Sequence, residues 1–397
     1  MAGEQGDPSK TGNACRTALV WDGGLDYDFG PTHPLQPVRV ELTVELIHAL
    51  GLTERDTCDE VRSGPFGEDE LRRVHEDHYI EAVQRLGSDP TARADWAHGF
   101  GPGDNPVFLG MHDASMEVCA ASKEAARVVA SGTAQHAFNP AGGLHHAMPD
   151  RASGFCVYND PAVAIDCLLE SGVERIAYVD VDVHHGDGVE RIFWDDPRVL
   201  TISLHESGRY LFPGTGFPDD IGGSGAEGTA VNVPLHPGTT GDVWSGAFDA
   251  VVEPLVRAFE PDVLVTQLGC DTHATDPLAH LALTTDDYRA IAGRAHALAH
   301  EAAGGRWVAT GGGGYELVQV VPRAWTIWFA EMAGVDLPDE TPTAWREVAQ
   351  ARGGREAPTT FADGRVDVGE VTAARTRKMA QDAVEAVRGH VFARHGL

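Results

Sequence analysis

The sequence predicts an α/β protein with a mostly parallel β-sheet and helices on both faces of that sheet. Two observations support this fold class. Apolar runs of strand length alternate with segments of helix length along most of the chain, and such alternation is typical of βαβ units. Polar and glycine-rich motifs directly follow several of these runs. Because ligands bind at the carboxyl ends of parallel strands, we expect these motifs to meet in one active-site crevice.

Seven apolar runs are predicted to be strands, at 17–21, 135–138, 175–181, 199–204, 230–235, 263–268 and 307–309. Helices are predicted at 38–50, 78–86, 114–130, 161–170, 243–259 and 285–303, with a last helix at 371–394 packed on the main domain. The informative loops follow four of the strands, at 139–146, 182–188, 269–276 and 310–315.

The ends of the chain are less regular in composition. Residues 1–15 are predicted to be a flexible N-terminus. The segment 336–364 is rich in proline, glycine and charge, which predicts an irregular surface connection before the last helix. The sequence contains no internal repeat and no low-complexity tract. We therefore expect one domain over residues 1–397.

The composition argues against several classes of function. The 397 residues carry a formal net charge of −30 at pH 7, which argues against direct nucleic-acid binding, since Lys and Arg supply the phosphate contacts. A diffuse acidic surface serves solubility or favours a cationic partner. No apolar run is long enough to cross a membrane, and residues 1–13 lack the apolar core of a signal peptide. The six cysteines form no C-x-x-C pair, so we expect a cytoplasmic protein.

The most informative stretch is 178–188, which reads YVDVDVHHGDG. On an extended segment alternate residues share a face, so Asp180, Asp182 and His184 point one way while the valines point into the core. Two carboxylates and an imidazole on one buried face are costly unless they are paired, hydrogen-bonded or bound to a cation. Solvated acids at a strand end would explain isolated Asp residues but not this density. The pattern favours a metal site.

A catalytic zinc usually has three protein ligands and one open position. Asp182 and His184 supply two ligands, and Asp271, which follows the apolar run 263–268, is the best candidate for the third. This set also suits Fe²⁺, Co²⁺ or Mn²⁺, with zinc as the first choice and one metal per chain. Asp276 is expected to support its loop, and His185 has the wrong strand parity for a ligand.

Two further motifs supply groups for catalysis. His145 and His146 follow a glycine pair in a loop after a strand, and imidazoles are suited to proton transfer near neutral pH. Asp180 and Asp187 could orient these histidines through hydrogen bonds. The tract 311–314 consists of four glycines but lacks the Lys-Ser/Thr of a phosphate loop. It would present Tyr315 to the crevice, where the hydroxyl could bind an oxyanion; alternatively Tyr315 is a core aromatic.

Taken together, these motifs resemble those of the zinc-dependent histone deacetylase family, and most closely its bacterial acetoin-utilisation branch. The resemblance covers roughly residues 20–329 and rests on five motifs, GGLHHA at 142–147, GFCVYND at 154–160, DVDVHHGDGV at 180–189, LFPGTG at 211–216 and GGGGY at 311–315. It implies the arginase/deacetylase-like fold. It also implies that Asp182, His184 and Asp271 hold zinc.

The resemblance assigns the remaining site residues as well. It implies that His145 and His146 form the catalytic pair, hydrogen-bonded to Asp180 and Asp187 respectively, with Tyr315 facing the substrate carbonyl. The residues implied to bind substrate are the two tunnel walls, their neighbouring glycine and a rim carboxylate, namely Phe155, Phe212, Gly154 and Asp104. A potassium ion is implied at the main-chain carbonyls of Asp180, Asp182, His184 and Leu204 together with the Ser203 hydroxyl.

Arg39 resembles the basic residue that lines an inner cavity beneath the metal and offers an exit route for acetate. A buried salt bridge is the alternative for this side chain. The implied reaction is hydrolysis of an N-acetylated amine to free amine and acetate, with His146 as the base that deprotonates the activated water. No organic cofactor is expected.

Several readings of the function remain open. An acetylated protein lysine is the first choice of substrate, and a small acetylpolyamine is the second because polyamines are cationic. A two-manganese site of the arginase type is disfavoured, since Gly186 and His273 stand where acids would be needed. A non-catalytic acetyl-lysine-binding protein would be expected to have lost ligands that this chain retains. The oligomeric state is left open.

Overall fold

The computed structural model describes residues 15–89 and 91–397. Within these residues, eight strands form one sheet. They are β1 (Thr17–Val20), β2 (Cys58–Val61), β3 (His136–Asn139), β4 (Ile176–Asp180), β5 (Val199–Glu206), β6 (Ala230–Leu235), β7 (Val263–Gln267) and β8 (Trp307–Thr310). Their order is β2-β1-β3-β8-β7-β4-β5-β6, and every neighbouring pair is parallel. The predicted α/β fold with a parallel sheet is confirmed.

The helices cover both faces of this sheet. They are α1 (Val38–Ala49), α2 (Glu68–Leu71), α3 (Asp77–Ser88), α4 (Met111–Ala130), α5 (Asp160–Glu170), α6 (Asp187–Ile192), α7 (Gly241–Phe259), α8 (Thr285–Ala302), α9 (Val321–Met332), α10 (Thr343–Gly353) and α11 (Glu370–Val391). Successive residues of β4 alternate between two cores. Ala177 and Val179 pack with α1, α7, α8, α9 and α11, whereas Ile176 and Tyr178 pack with α3, α4 and α5.

The strand order places four of the informative loops side by side. β3, β8, β7 and β4 are consecutive in the sheet. Because the strands are parallel, the loops that follow them leave the same edge. All four strands end in a polar residue, namely Asn139, Thr310, Gln267 and Asp180. The expected convergence of four loops on one crevice is therefore present in the fold.

The segment 336–364 differs from its prediction. It was expected to be irregular, but its centre forms α10, where Trp345 and Ala349 are buried against Leu42 and Leu46 of α1. The indole Nε1 of Trp345 donates a hydrogen bond to the carbonyl of Leu42 at 2.9 Å. The prolines of the segment lie outside α10, whereas the charged residues Arg346, Glu347 and Arg352 lie within it, so composition averaged over the whole segment concealed a short amphipathic stretch.

Other short elements were also missed. β2 has the sequence CDEV, too polar to be recognised as a strand, and it lies at the edge of the sheet. At the C-terminus, α11 packs on α7 and β6 and contributes Val387 and Val391 to the core. Of the segment 1–15, residues 1–14 lie outside the described residues. The single-domain organisation stays a prediction.

Two observations bear on the environment of the chain. None of the helices in the described ranges combines the length and the apolar character needed to cross a bilayer. All six cysteines have free thiols.

Candidate active site

The three predicted metal ligands lie together in the crevice. Asp182 and His184 belong to the loop after β4, and Asp271 belongs to the loop after the neighbouring strand β7. The Nδ1 atom of His184 lies 3.0 Å from Oδ1 of Asp182 and 3.0 Å from Oδ2 of Asp271. One ligand atom from each residue lies within 4.8 Å of the other two, and all three residues are buried. The chain alone therefore brings two carboxylates and one imidazole to a single point.

Backbone amides and one side-chain amide hold these carboxylates in place. Gly313 N and Gln267 Nε2 each donate a hydrogen bond to Oδ2 of Asp182 at 2.7 Å. Val183 N donates to Oδ1 of Asp271 at 2.8 Å. A Cβ atom at position 313 would lie 2.0 Å from Oδ2 of Asp271, so only glycine lets the backbone approach this closely. The glycine tract thus shapes the candidate metal site directly.

The charges of these residues fit a bound cation. Burial raises the pKa of Asp271, and the negative charge of Asp182 raises it further, to about 6. Burial lowers the pKa of His184, but its hydrogen bonds to Asp182 and Asp271 outweigh burial and raise the pKa to about 10. The chain on its own therefore compensates its buried carboxylates with a proton on His184. A divalent ion would replace that proton, and the donor set suits zinc, Fe²⁺, Co²⁺ or Mn²⁺.

The two histidines of the 142–147 motif form a compact dyad beside these ligands. Nδ1 of His145 lies 2.7 Å from Oδ2 of Asp180. Nδ1 of His146 lies 2.7 Å from Oδ1 of Asp187. Because each carboxylate accepts the Nδ1–H, the Nε2 atoms are left for chemistry. They face each other at a distance of 3.0 Å.

Their surroundings give the two imidazoles opposite protonation states. Burial lowers the pKa of His145, but the charges of Asp180 and Asp182 outweigh it and raise the pKa to about 9. Burial lowers the pKa of His146, and the charge of His145 lowers it further, to about 4. At neutral pH the dyad therefore holds one exchangeable proton on His145, and His146 remains a base.

Two residues of the motif at 154–160 form hydrogen bonds with the backbone of the loop that carries the dyad. The side chain of Asp160 accepts hydrogen bonds from Gly143 N at 3.0 Å and Leu144 N at 2.8 Å. Nδ2 of Asn159 donates to the carbonyl of His145 at 3.2 Å. Both side chains are fully buried. The loop that carries the histidines is thus fixed through its backbone by Asn159 and Asp160.

A cavity of about 200 Å³ leads from the surface to this site. Its lining includes all four residues predicted to bind substrate, together with His146, His184, Leu211, Leu278 and Tyr315. The ring of Phe155 packs edge-on against Tyr315 with 5.7 Å between centroids, and the ring of Phe212 packs edge-on against His146 at 5.0 Å. Leu211 and Leu278 were not predicted.

Gly154 keeps this cavity open beside the dyad. A Cβ atom there would lie 2.4 Å from Cδ2 of His146 and 2.8 Å from the ring of Phe212. Asp104 lies at the exposed end of the same cavity. The His33 ring contacts the backbone carbonyl of Asp104 with Nε2 at 3.3 Å. The predicted substrate residues therefore line one passage from its rim to its floor.

Tyr315 lies at the floor of this cavity. Its backbone N–H donates to Oδ2 of Asp276 at 2.8 Å, and Leu278 N donates to Oδ1 of the same carboxyl group at 2.9 Å. Asp276 therefore supports the loop, as expected. Burial raises the pKa of Tyr315 well above its usual value, and the charges of Asp271 and Asp182 add to that shift. The phenol consequently stays protonated and can act as a hydrogen-bond donor.

Arg39 is buried beneath the glycine tract. Its Nη1 donates to the carbonyls of Gly312 at 2.7 Å and Gly314 at 3.1 Å, and its guanidinium lies 5.1 Å from the centroid of the Trp325 ring. No carboxylate forms an ion pair with Arg39 among residues 15–89 and 91–397. The partners of Arg39 in the described part of the chain are backbone carbonyls, which gives no support to the alternative of a buried salt bridge. Arg39 instead holds the backbone that carries Tyr315.

The residues predicted to bind potassium lie where β4 and β5 run side by side. Asp180 is paired with Ser203 in the parallel ladder, and Leu204 follows in β5. The Ser203 hydroxyl lies 2.9 Å from Nδ1 of His205. Hydroxyl and carbonyl oxygens suit a hard monovalent cation. The potassium site nevertheless stays a prediction.

Gln267 is a site residue that the sequence analysis missed. It is the last residue of β7, and its Nε2 contacts Asp182, the carbonyl of Gly143 at 3.2 Å and Nδ1 of His145 at 3.4 Å. It thereby joins the metal ligands to the dyad. The available signal was a polar residue at the end of an otherwise apolar strand. His185 points elsewhere, with Nδ1 at 2.9 Å from the Thr215 hydroxyl.

Comparison with known proteins agrees with this geometry. Residues 33–332 match the family model described as the histone deacetylase domain. The chain is 44% identical over 320 residues to the acetoin utilization protein AcuC of Bacillus subtilis (strain 168), covering 80% of this chain and 82% of that protein. It is 33% identical over 356 residues to AcuC of Staphylococcus xylosus, covering 87% of this chain and 90% of that protein.

Solved structures give the same result for the fold. An HDAC homologue complexed with SAHA superimposes with a TM-score of 0.81 at 31% identity, covering 94% of this chain and 99% of the other. An HDAC homologue from Aquifex aeolicus superimposes with a TM-score of 0.79 at 30% identity, covering 93% of this chain and all of the other.

Proposed function

The chain belongs to the histone deacetylase family, and we propose that it is a zinc-dependent amidohydrolase that removes acetyl groups from lysine side chains of proteins. One observation carries the proposal. Three buried metal ligands, two His–Asp pairs and Tyr315 surround the inner end of one narrow cavity. This arrangement supplies every group that amide hydrolysis requires. We further propose that the protein acts in the cytoplasm.

The reaction breaks the amide C–N bond with water and yields a free amine and acetate. Zinc held by Asp182, His184 and Asp271 would polarise the acetyl carbonyl and acidify the attacking water. His146 accepts the proton on Nε2 because its lowered pKa keeps it neutral, and the hydrogen bond to Asp187 fixes that tautomer. An imidazolium of the dyad then protonates the departing amine.

Tyr315 and the buried environment act on the charge that develops during this step. The carbonyl oxygen becomes negative as water adds to the carbon, and a protonated phenol can donate a hydrogen bond to it. Its raised pKa keeps the proton on Tyr315. His145 stays charged through its contact with Asp180. Its charge lowers the pKa of His146 and so keeps Nε2 of His146 unprotonated before the reaction.

The cavity favours a long, linear acyl-amine substrate. Phe155, Phe212 and Leu211 give it apolar walls, which suit the methylene groups of an acetylated lysine. Asp104 at the rim can accept hydrogen bonds from substrate backbone amides. A small acetylpolyamine is the second candidate, because the net charge of −30 favours cationic molecules.

Steady-state turnover of acetyl-lysine peptides and of acetylpolyamines by the zinc-loaded protein tests the proposal. We expect the higher kcat/KM with peptides. The variant Asp104→Asn should raise KM for peptides more than KM for acetylpolyamines, since polyamines have no backbone amides and lose only the attraction of one charge. A preference for acetylpolyamines, with no effect of Asp104→Asn, would replace the protein substrate by the polyamine. Absence of turnover together with tight peptide binding would favour a non-catalytic acetyl-lysine-binding protein.

A further inference from the structure

A second cluster of metal-binding side chains lies at the opposite edge of the sheet from the active site. Cys15 precedes β1, His136 is the first residue of β3, and His296 and His300 lie on α8. One potential ligand atom from each of these four residues lies within 4.8 Å of all the others. Active-site loops leave the carboxyl ends of the strands, whereas these residues lie at or before strand beginnings.

His136 provides the clearest sign of a missing ligand. The side chain is fully buried, and its Nδ1 lies 2.7 Å from the carbonyl of Met332. Since a carbonyl only accepts, Nδ1 carries the proton and Nε2 carries the lone pair. That Nε2 atom is buried and has no hydrogen-bond partner in the part of the chain that the structure describes. A histidine with one nitrogen bonded to a carbonyl and the other free is arranged as metal-binding histidines are.

The histidines of α8 show a similar arrangement. His296 and His300 are four residues apart, so they share one face of the helix. Nδ1 of His296 lies 3.0 Å from Oε1 of Glu331. This contact fixes the proton on Nδ1 and leaves the lone pair of Nε2 free to bind a metal. Nε2 of His300 lies 3.2 Å from Nε2 of His296 and 3.3 Å from Sγ of Cys15.

These separations suit a tetrahedral zinc ion. Metal–ligand bonds of about 2.0–2.3 Å place the ligand atoms of a tetrahedron about 3.3–3.6 Å apart. The histidine rings also lie close to one another. The ring centroid of His136 lies 4.9 Å from that of His296 and 5.4 Å from that of His300, and both pairs are nearly perpendicular. The four ligands come from three separate parts of the chain.

We propose that Cys15, His136, His296 and His300 bind a second zinc ion in a closed structural site. Three imidazoles and one thiolate are a donor set that favours zinc, and four protein ligands leave no open position for substrate. The ion ties the beginning of β1 and of β3 to α8. His300 is exposed and Cys15 is partly exposed, so the metal can enter from solvent.

The site changes how a metal count must be interpreted. The sequence alone predicts one metal per chain, but this cluster raises the expected number to about two. A total of two is thus consistent with a mononuclear active site. Because the two sites share no ligand, a substitution in one site should remove its metal and leave the metal of the other site in place. The inference does not depend on the proposed catalytic function.

Zinc analysis of the full-length protein after removal of loosely bound metal tests the proposal. The comparison is between Asp271→Ala and the same variant carrying Cys15→Ser or His300→Ala. We expect either added substitution to remove about one equivalent of zinc per chain. The matched control is Cys167→Ser in the Asp271→Ala background, because Cys167 is also partly exposed and lies outside the cluster; it should lose none. An unchanged zinc content after Cys15→Ser and after His300→Ala would refute the site.

Cobalt substitution gives an independent readout that does not involve activity. The active-site ligands include no sulfur, so a thiolate-to-cobalt charge-transfer band in the near ultraviolet reports Cys15 alone. We expect the band in the wild type, in Asp271→Ala and in Cys167→Ser, and its loss in Cys15→Ser. A wild type without the band would mean that the cluster is only hydrogen-bonded, and would overturn the proposal.

Discussion

Strand β3 has a histidine cluster at each end, and the two clusters differ in their charge. Beyond its carboxyl end, His145 and His146 are bonded to buried carboxylates, and the pKa of His145 is raised to about 9. At its amino end, His136 is bonded to a carbonyl, and burial lowers its pKa to about 3. The charge of Asp180 thus keeps an additional proton on His145, whereas burial without a contacting carboxylate leaves His136 neutral, with the lone pair on Nε2 free to bind a metal.

The two clusters also differ in what lies beside them. The candidate active site offers three side chains that could bind a metal, and it opens into a cavity of about 200 Å³. The second cluster offers four donors and packs against Trp307, whose ring centroid lies 5.6 Å from that of His136. A vacant coordination position next to a cavity favours reaction, and a complete donor set favours stability. Variants of the two clusters test this division between a reactive and a structural site.

The largest effect is expected from Asp271→Ala. Loss of this ligand should empty the active-site metal and abolish deacetylation, while the fold is retained because the substitution removes a buried carboxylate and no apolar contact of the core. Turnover, zinc content and circular dichroism check this outcome. Asp382→Ala, an exposed acid on α11, is the control and should behave like the wild type. Full activity in Asp271→Ala would remove this residue from the metal site.

His146→Ala should depress turnover by roughly 10²- to 10⁴-fold, the usual cost of losing a general base. The active-site zinc should remain, because His146 is not a ligand. Steady-state kinetics on protein of known zinc content provides the measurement. His145→Ala should also impair turnover, through loss of the charge next to His146. Near-normal turnover in zinc-replete His146→Ala would show that another group takes the proton.

Tyr315→Phe removes one oxygen and changes little volume. If the hydroxyl binds the oxyanion, the hydrogen bond strengthens in the transition state, and kcat should fall roughly 10²- to 10³-fold while substrate still binds. Steady-state kinetics combined with direct binding of an acetylated peptide separates the effect on kcat from the effect on substrate binding. An unchanged kcat would assign Tyr315 to the apolar wall that it forms with Phe155.

Phe155→Ala and Phe212→Ala should act on selectivity rather than on chemistry. Each removes part of a wall of the cavity, so KM for acetyl-lysine peptides should rise by about tenfold, and longer acyl groups should become better substrates. Competition between acetylated and butyrylated peptides measures the change. Unaltered acyl-chain preference in both variants would locate the selective walls elsewhere.

The active site could be predicted from the sequence because a rule of folding connects its parts. Parallel strands deliver the loops after them to one edge, so Asp182, His184 and Asp271 could be brought together before their contacts were known. The short alternation at 180–184 extends beyond β4, which ends at Asp180, yet the side chains still converge. Gln267 was missed because a single amide at the end of an apolar strand has no local pattern.

The second cluster lacks such a rule. His296 and His300 have helical spacing, but Cys15 and His136 are distant in the chain and belong to no motif with them. Their proximity depends on β1 and β3 being neighbours and on where α8 packs. Likewise, α10 depends on burial of Trp345 against α1, a tertiary contact. Loops that leave the same edge of the sheet could thus be predicted from the sequence, whereas contacts between separate layers of the fold could not.

The smallest effect is expected from the second cluster, and it should appear in stability and not in catalysis. Zinc that binds only the folded chain stabilises it by about 2.7 kcal/mol at a hundredfold excess over Kd, which raises Tm by a few degrees in a protein of this size. A zinc titration of Tm should therefore lose this increment in His300→Ala, while kcat on an acetylated peptide stays at the wild-type value. His390→Ala, an exposed histidine on α11, is the matched control and should keep the full increment. His300→Ala could instead lower kcat and leave the zinc dependence of Tm intact. In that case the division between a reactive site and a structural site would be wrong, and the cluster that contains His136 and His300 would have a part in the reaction.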